Sequence, residues 1–325
     1  MGGDRAQAVV ALGGGHGLHA TLQALRRLLE DVVLDDLTAV VTVADNGGSS
    51  GRLRGQFDVL PPGDLRMALA ALCGDDEWGR TWARVLQHRF AGDGDIRGHV
   101  AGNLLLVALW EQLGDDVAAL DWVGRLLGAR GRVLPMALSP LDIEADVSGL
   151  DPADPTTRTV VRGQVEVATT TGRIEEVRLL PADARPSPAA LEAIAAADRE
   201  VLGPGTWFTS VLPHLLLPGL VDALESTQAR LIVVLNLTEQ EGETPGFAPA
   251  DHLQVLVDHA PGLRIHTVLA DRGSVGAHAA ELDDAVRRHG ARLVLADVAR
   301  APGSDQHDPQ ALACAFEDVI GGTAS

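Results

Sequence analysis

The chain has 325 residues, 46% of them hydrophobic, with 26 basic against 45 acidic side chains and a formal charge of −19. That length is compatible with two domains or one continuous α/β sheet, and that apolar share can bury a sizeable core. The negative field argues against a nucleic-acid partner or an anionic membrane surface, and lysine and tyrosine are both absent. A Walker lysine, a Schiff-base lysine and a lysine general base are thereby excluded. Every permanently positive side chain is an arginine. Neither a long apolar span nor a basic-then-apolar leader is read, so a cytoplasmic protein without membrane insertion is expected. Cys73 and Cys314 lie far apart in apolar, helix-like surroundings, which argues against a disulfide or a zinc cage.

Short apolar runs alternate with amphipathic stretches along the chain, the pattern of a mostly parallel sheet with helices on both faces. Strands are predicted at residues 8–12, 37–43, 201–202, 231–235, 265–269 and 293–296. Helices are predicted at 18–29, 65–72, 103–112, 117–127, 188–197 and 253–258, with a helix-like segment at 211–217. Between about 160 and 180 the rhythm breaks. There Val165-Glu166-Val167 and Ile174-Glu175-Glu176-Val177 read as a small antiparallel hairpin across Thr171-Gly172-Arg173. The expectation is one Rossmann-like α/β domain over residues 1–325, with this hairpin as an excursion.

The first strand runs into Gly13-Gly14-Gly15-His16-Gly17-Leu18-His19-Ala20. Gly15, Gly17 and Ala20 match the spacing of a dinucleotide-binding turn. Glycine lets backbone N–H groups approach a phosphate at a helix N-terminus, and His16 is a candidate ligand contact. A ligand-free strand-to-helix turn would show the same residues. After the second strand comes Ala44-Asp45-Asn46-Gly47-Gly48-Ser49-Ser50-Gly51-Arg52-Leu53-Arg54, which joins acid, amide, hydroxyls and two arginines. Ser49, Ser50, Arg52 and Arg54 suit phosphate oxygens, whereas Asp45 suits a ribose hydroxyl or a hard cation. A flexible linker could show the same glycines, but it would not need the flanking acid, amide and arginines, so Asn46, Gly47 and Gly48 are expected ligand contacts as well.

Pro61-Pro62-Gly63-Asp64-Leu65-Arg66 follows, with Asp64 placed as an N-cap or a ligand contact. Arg66 falls in the first helical turn, where the helix dipole disfavours a cation unless a phosphate or carboxylate is near. Asn103, opening an apolar helix after Gly98-His99, needs partners for its amide, which a ligand or the first glycine loop could supply. His99 reads more simply as a packed or capping residue. Gly203-Pro204-Gly205-Thr206-Trp207-Phe208-Thr209-Ser210 repeats the design of small residues, hydroxyls and a helix start, and Asn236 opens a further polar loop. In an open α/β sheet such strand ends share one edge, so Gly203, Gly205, Thr206, Ser210 and Asn236 are expected to join the first two loops around one phosphate-bearing ligand.

These motifs, together with Gly242-Glu243-Thr244 and His307-Asp308-Pro309, resemble the YvcK family of gluconeogenesis factors within the CofD-like superfamily, over nearly the whole chain. The resemblance implies a cytoplasmic, Rossmann-like protein that binds UDP-sugars such as UDP-N-acetylglucosamine. It also implies a role in cell shape and envelope regulation on gluconeogenic carbon sources. On this reading the protein is a regulator without turnover that needs no cofactor, forms a homo-oligomer and acts on an unidentified protein partner. The superfamily's namesake supplies the alternative, an Mg²⁺-dependent phosphotransferase making the phospholactyl-deazaflavin precursor of coenzyme F420, with Asp45 and Asp64 holding the metal. A nicotinamide-dependent dehydrogenase rests on glycine spacing alone. Three residues depart from the family pattern: Asn46 where many members have aspartate, Gln306 where arginine is usual, and Phe208 where tyrosine is common.

Overall fold

The computed structural model describes residues 7–31 and 33–321. In chain order these form β1 (Ala8–Gly13), α1 (Gly15–Glu30), β2 (Asp36–Val41), α2 (Gly48–Phe57), α3 (Pro62–Ala71), α4 (Glu77–Gln87), α5 (Ala101–Leu113), α6 (Asp116–Leu127) and β3 (Arg132–Pro135). Next come β4 (Asp142–Ser148), β5 (Thr159–Arg162), α7 (Gln164–Ala168), β6 (Arg173–Leu180), α8 (Pro188–Ala196) and β7 (Arg199–Leu202). A π-helical turn at Trp207–Val211 leads to α9 (Pro213–Leu216), α10 (Leu220–Ser226), β8 (Arg230–Val234), α11 (Pro249–His259) and β9 (Ile265–Asp271). The described chain closes with α12 (Arg272–Val275), α13 (Ala279–Arg288), β10 (Arg292–Ala296) and α14 (Pro309–Gly321).

Seven parallel strands form the main sheet in the order β10-β9-β8-β7-β1-β2-β3. Its middle strands are buried almost throughout, which is why they read as continuous apolar runs. Two separate series of helix contacts accompany it, α14-α1-α3 and α8-α10-α9-α11-α13. Sequence order reverses direction between β1 and β7, and such a switch point opens a crevice beyond the carboxyl ends of the two strands.

The excursion is a three-stranded antiparallel sheet in the order β5-β4-β6. This corrects the expected hairpin in detail. Residues 165–167 are helical, within α7, and the partner of β6 is β4, which runs Asp142 to Ser148 opposite Leu180 to Arg173. Strand β4 alternates buried apolar with half-exposed polar residues, as one covered face requires. A second correction concerns the serine-rich loop, which forms α2 from Gly48 onward. Among the described residues no helix is long and apolar enough to cross a membrane. Both cysteines are free, Cys73 buried and Cys314 exposed.

Candidate functional site

A cavity of about 660 Å³ lies at the switch point, lined by residues from the ends of β1, β2, β7, β8 and β10. That volume falls within the roughly 300–1,000 Å³ usual for small-molecule sites. The first glycine loop forms one wall. Gly14 is the N-cap of α1, whose first turn carries no acidic residue. Asp64 accepts from the Gly15 amide, and among the described residues the His16 and Gly17 amides at this helix start remain available to an anion. Close packing dictates glycine at two positions. A Cβ on Gly14 would sit 2.7 Å from an Asp64 carboxylate oxygen and 2.5 Å from the Thr42 methyl, and one on Gly17 would overlap the Pro204 carbonyl. Helix α1 thus rests directly on the loop that follows β7.

That loop forms the opposite wall and is held from behind. Asn236 accepts from the Gly205 amide at 3.0 Å and donates to the Gly205 carbonyl at 2.8 Å, so its side chain clamps the loop. Gln240 accepts from Asn236 and from the Trp207 amide. The π-helical turn is anchored by buried Glu243, which accepts from the Phe208 amide and the Thr209 hydroxyl. Thr206 and Ser210 hydroxyls bond each other at 2.5 Å on the cavity side.

Asp45 and Asp64 make the floor. The Gly47 amide donates to Asp45 at 2.8 Å, while the Gly15 amide donates to Asp64. Burial raises the Asp45 carboxyl, and burial together with the charge of Asp45 pushes Asp64 up to about 7. Asp64 therefore weakens the fold progressively as pH rises from its ordinary 3.8 to about 7, because the folded chain retains a proton that the unfolded chain releases. Its expected N-cap role is corrected: Pro61 caps α3, and Asp64 lies inside the first turn. Burial lowers the Arg66 guanidinium to about 10 while the nearby charges of Asp64 and Asp45 oppose that shift, and among the described residues neither carboxylate forms an ion pair with it at 4.0 Å or less.

The second loop is largely turned away from the cavity. Of its expected ligand contacts only Asp45 lines the space, while Asn46, Gly47, Gly48, Ser49, Ser50, Arg52 and Arg54 do not. The Ser49 hydroxyl meets His99 Nδ1 at 3.2 Å and accepts from the Val100 amide and the Asn103 side chain. Asn103 in turn accepts from Arg66 Nε at 3.0 Å, so its partners are Ser49 and Arg66 rather than a glycine loop. Ser50 accepts from the Gly63 amide. Arg54 is bonded to the Leu141 carbonyl and paired with Asp142 at 2.7 Å, and exposed Arg52 reaches the Arg97 carbonyl. Asn46 donates to Glu166 at 2.9 Å and accepts from the Val165 amide at 3.0 Å, tying α7 to this loop. An aspartate at 46 could not donate, and would set like charges together.

The remaining expected residues divide cleanly. Gly14, Gly15, His16, Gly17, Gly205, Thr206, Ser210 and Asn236 line the cavity with Asp45 and Asp64, whereas Gly13, Gly203, Arg66 and Asn103 stand behind it. Sequence reasoning passed over His19, Gln23, Gln240, Arg300 and His307, all of which also line it. His307 is buried, its Nε2 has no partner among the described residues, and burial lowers its pKa to about 4, so it lines the cavity neutral. Asp271 fixes this wall by accepting from the Val298 and Ala299 amides at 2.8 and 3.0 Å. The His-Asp-Pro motif was the available signal for His307; Arg300 carried none.

Residues 9–306 match the protein family described as 2-phospho-L-lactate transferase CofD. The chain is 55% identical over 315 residues to a Mycobacterium tuberculosis protein carrying the provisional name of gluconeogenesis factor, covering 96% of this chain and 90% of that one. It is 40% identical over 252 residues to the gluconeogenesis factor of Listeria monocytogenes, covering 77% and 73% respectively. The crystal structure of a UPF0052 family member from Bacillus halodurans is similar with a TM-score of 0.82 at 32% identity, covering 96% of this chain and 99% of that one.

Proposed function

The chain belongs to the CofD family, beside its gluconeogenesis factors, and on that premise we propose that it is a cytoplasmic regulator whose ligand is a UDP-sugar such as UDP-N-acetylglucosamine. Its output is control of cell shape and envelope assembly during growth on gluconeogenic carbon. The observation that carries the reading is the cavity where the glycine-rich start of α1 meets the loop after β7. Backbone amides there suit a diphosphate, and Thr206, Ser210, Gln240 and His307 offer neutral polar groups for the uridine and the sugar. Occupancy would draw α1 and the two loops together, and the exposed rims of those elements would pass the change to a protein partner. No cofactor is required for this role.

The acid pair favours a second reading, the Mg²⁺-dependent phosphotransferase. Among the described residues Arg300 is the one arginine lining the cavity, against carboxylates at Asp45, Asp64, Glu239, Glu241 and Asp305. Among the described residues no cluster of three or more His, Cys, Asp or Glu could hold a metal alone. Two adjacent carboxylates nevertheless fit Mg²⁺, which commonly takes one or two and completes its shell with phosphate and water. Bound by Asp45 and Asp64, the ion would neutralise phosphate charge.

Calorimetry with UDP-N-acetylglucosamine separates the readings. In chelator, a regulator that binds without metal should gain affinity as pH falls through about 7, because Asp64 then becomes neutral beside the diphosphate. Metal-dependent binding should instead vanish in chelator and, with Mg²⁺, strengthen as pH rises. Turnover of a phospholactyl donor with a deazaflavin acceptor and Mg²⁺ would replace the regulatory reading outright. Absence of UDP-sugar binding under both conditions would remove it as well.

A further inference from the structure

Among the described residues Gln164 is the one cavity-lining residue that the antiparallel excursion supplies. It opens α7 directly after Gly163, whose φ of 113° only glycine holds easily. A Cβ on Gly163 would sit 2.5 Å from Asn46 Nδ2 and overlap the Glu166 carboxylate. Asn46 grips the same turn twice, donating to Glu166 and accepting from the Val165 amide, and a Cβ on neighbouring Gly47 would come 2.9 Å from a Val165 methyl. At the far end of α7 the Ala168 carbonyl abuts Gly242, in the loop after β8, so closely that a Cβ there would overlap it. Between the two ends Val167 is fully buried. The helix is thereby fixed from the loop after β2 to the loop after β8. The half-buried Gln164 side chain, by contrast, makes no hydrogen bond among the described residues, which leaves its amide to the cavity.

Strand order says what lies beside it. The start of α1 and the loop after β7 belong to adjacent strands, with β2 and Asp45 on one side of them and β8 and β10, with Gln240 and Arg300, on the other. From β2 to β10 is five strand spacings, roughly 24 Å. A diphosphate held at the α1 start therefore lays the two ends of a nucleotide sugar on different flanks. Asp45 decides which end goes where. A pyranose presents several hydroxyl donors, which a carboxylate and an amide oxygen accept, while the amide nitrogen donates to sugar oxygens in return. Uracil presents two carbonyl acceptors and one N–H, a poor match for Asp45 and a better one for Arg300 and Gln240. We propose that Gln164 reads the sugar of a nucleoside-diphosphate sugar beside Asp45, and that Asn46 is the positioning residue that holds it there. This rests on the UDP-sugar reading above and assigns the sugar its place within it. Asn46 matters through its donor: an aspartate would face Glu166 charge to charge and release the turn that carries Gln164.

Calorimetry on the full chain with UDP and with UDP-N-acetylglucosamine tests it, the ratio of the two affinities isolating the sugar. Gln164→Ala should lower UDP-N-acetylglucosamine affinity by roughly 10-fold and UDP affinity by less than about 2-fold, as loss of one or two partly exposed hydrogen bonds to the sugar requires. Its thermal transition should hold, because the side chain bonds to no other part of the described fold. Asn46→Asp should narrow the ratio in the same direction, and adding Glu166→Gln should restore it, since glutamine can donate to the new carboxylate. A purely structural role for Asn46 would lower both affinities together and leave the ratio alone. Equal losses for both ligands in Gln164→Ala would put this side chain on the diphosphate or the uracil and overturn the proposal, as would no loss at all. A ratio that Asn46→Asp leaves unmoved, or that the double variant does not restore, would overturn the role of Asn46. In each of these outcomes the wild type still binds the UDP-sugar and the parent reading survives, whereas a wild type that binds neither ligand overturns both.

Discussion

The glycine loop after β1 and the serine-glycine segment after β2 contain similar chemistry, yet the fold employs them in opposite ways. At Gly14–Gly17 the backbone is pressed against neighbouring loops, and among the described residues the His16 and Gly17 amides of α1 stay free at the cavity. At residues 46–54 nearly every polar side chain is already engaged by the protein: Ser49 by His99, Val100 and Asn103, Arg54 by Asp142, Asn46 by α7. Residue type announces the capacity to bind. Whether that capacity is free depends on which partners the rest of the chain delivers.

The largest effect expected along this contrast is at Gly17. Valine there would collide with the Pro204 carbonyl, lowering stability by about 1–3 kcal/mol or more and abolishing UDP-sugar binding, as a thermal melt and calorimetry would show. Ser49→Ala should cost about 1–3 kcal/mol of stability by stranding buried donors of Val100 and Asn103, yet leave affinity within a few-fold. If ligand binding disappears in a Ser49→Ala variant that stays folded, the division between the loops is wrong. Arg300→Ala should do the reverse, reducing affinity by about 1 kcal/mol through loss of an exposed charged contact while leaving the melt unchanged. The smallest effect belongs to Arg54→Ala, which loses a part-buried ion pair with Asp142 worth roughly 1 kcal/mol and should not alter affinity. The original expectation that Arg52 and Arg54 hold phosphate predicts the opposite outcome in the calorimeter.

The parallel strands were readable because burial on both faces leaves continuous apolar runs, as at Val9–Leu12 and Leu231–Val234. Strand β4 was not, since Asp142, Glu144 and Asp146 interrupt it on the less covered face and dilute its apolar signal. Helix α2 escaped notice because Gly48, Gly51 and Gly55 are poor helix formers, and tertiary bonds to Ser49 and Ser50 supply what propensity lacks. Convergence of the strand-end loops followed from topology and was legible. The allegiance of Arg54 was not, because Asp142 lies 88 residues further on. His307 reaches the cavity only after β9 and β10 pair and Asp271 secures the turn behind them, an arrangement without a local signature.

The pairing of β1 with β7 also sets a timetable. The Ala8 amide bonds to Asp198, 190 positions later, so a ribosome must complete well over half the chain before the central strand gains its second neighbour. Until then one edge of β1 stays open to mispairing, and the crevice has only one wall. Ligand affinity therefore reports completion of the central sheet, and a ligand that bridges the two walls would favour the finished chain over its fragments by mass action.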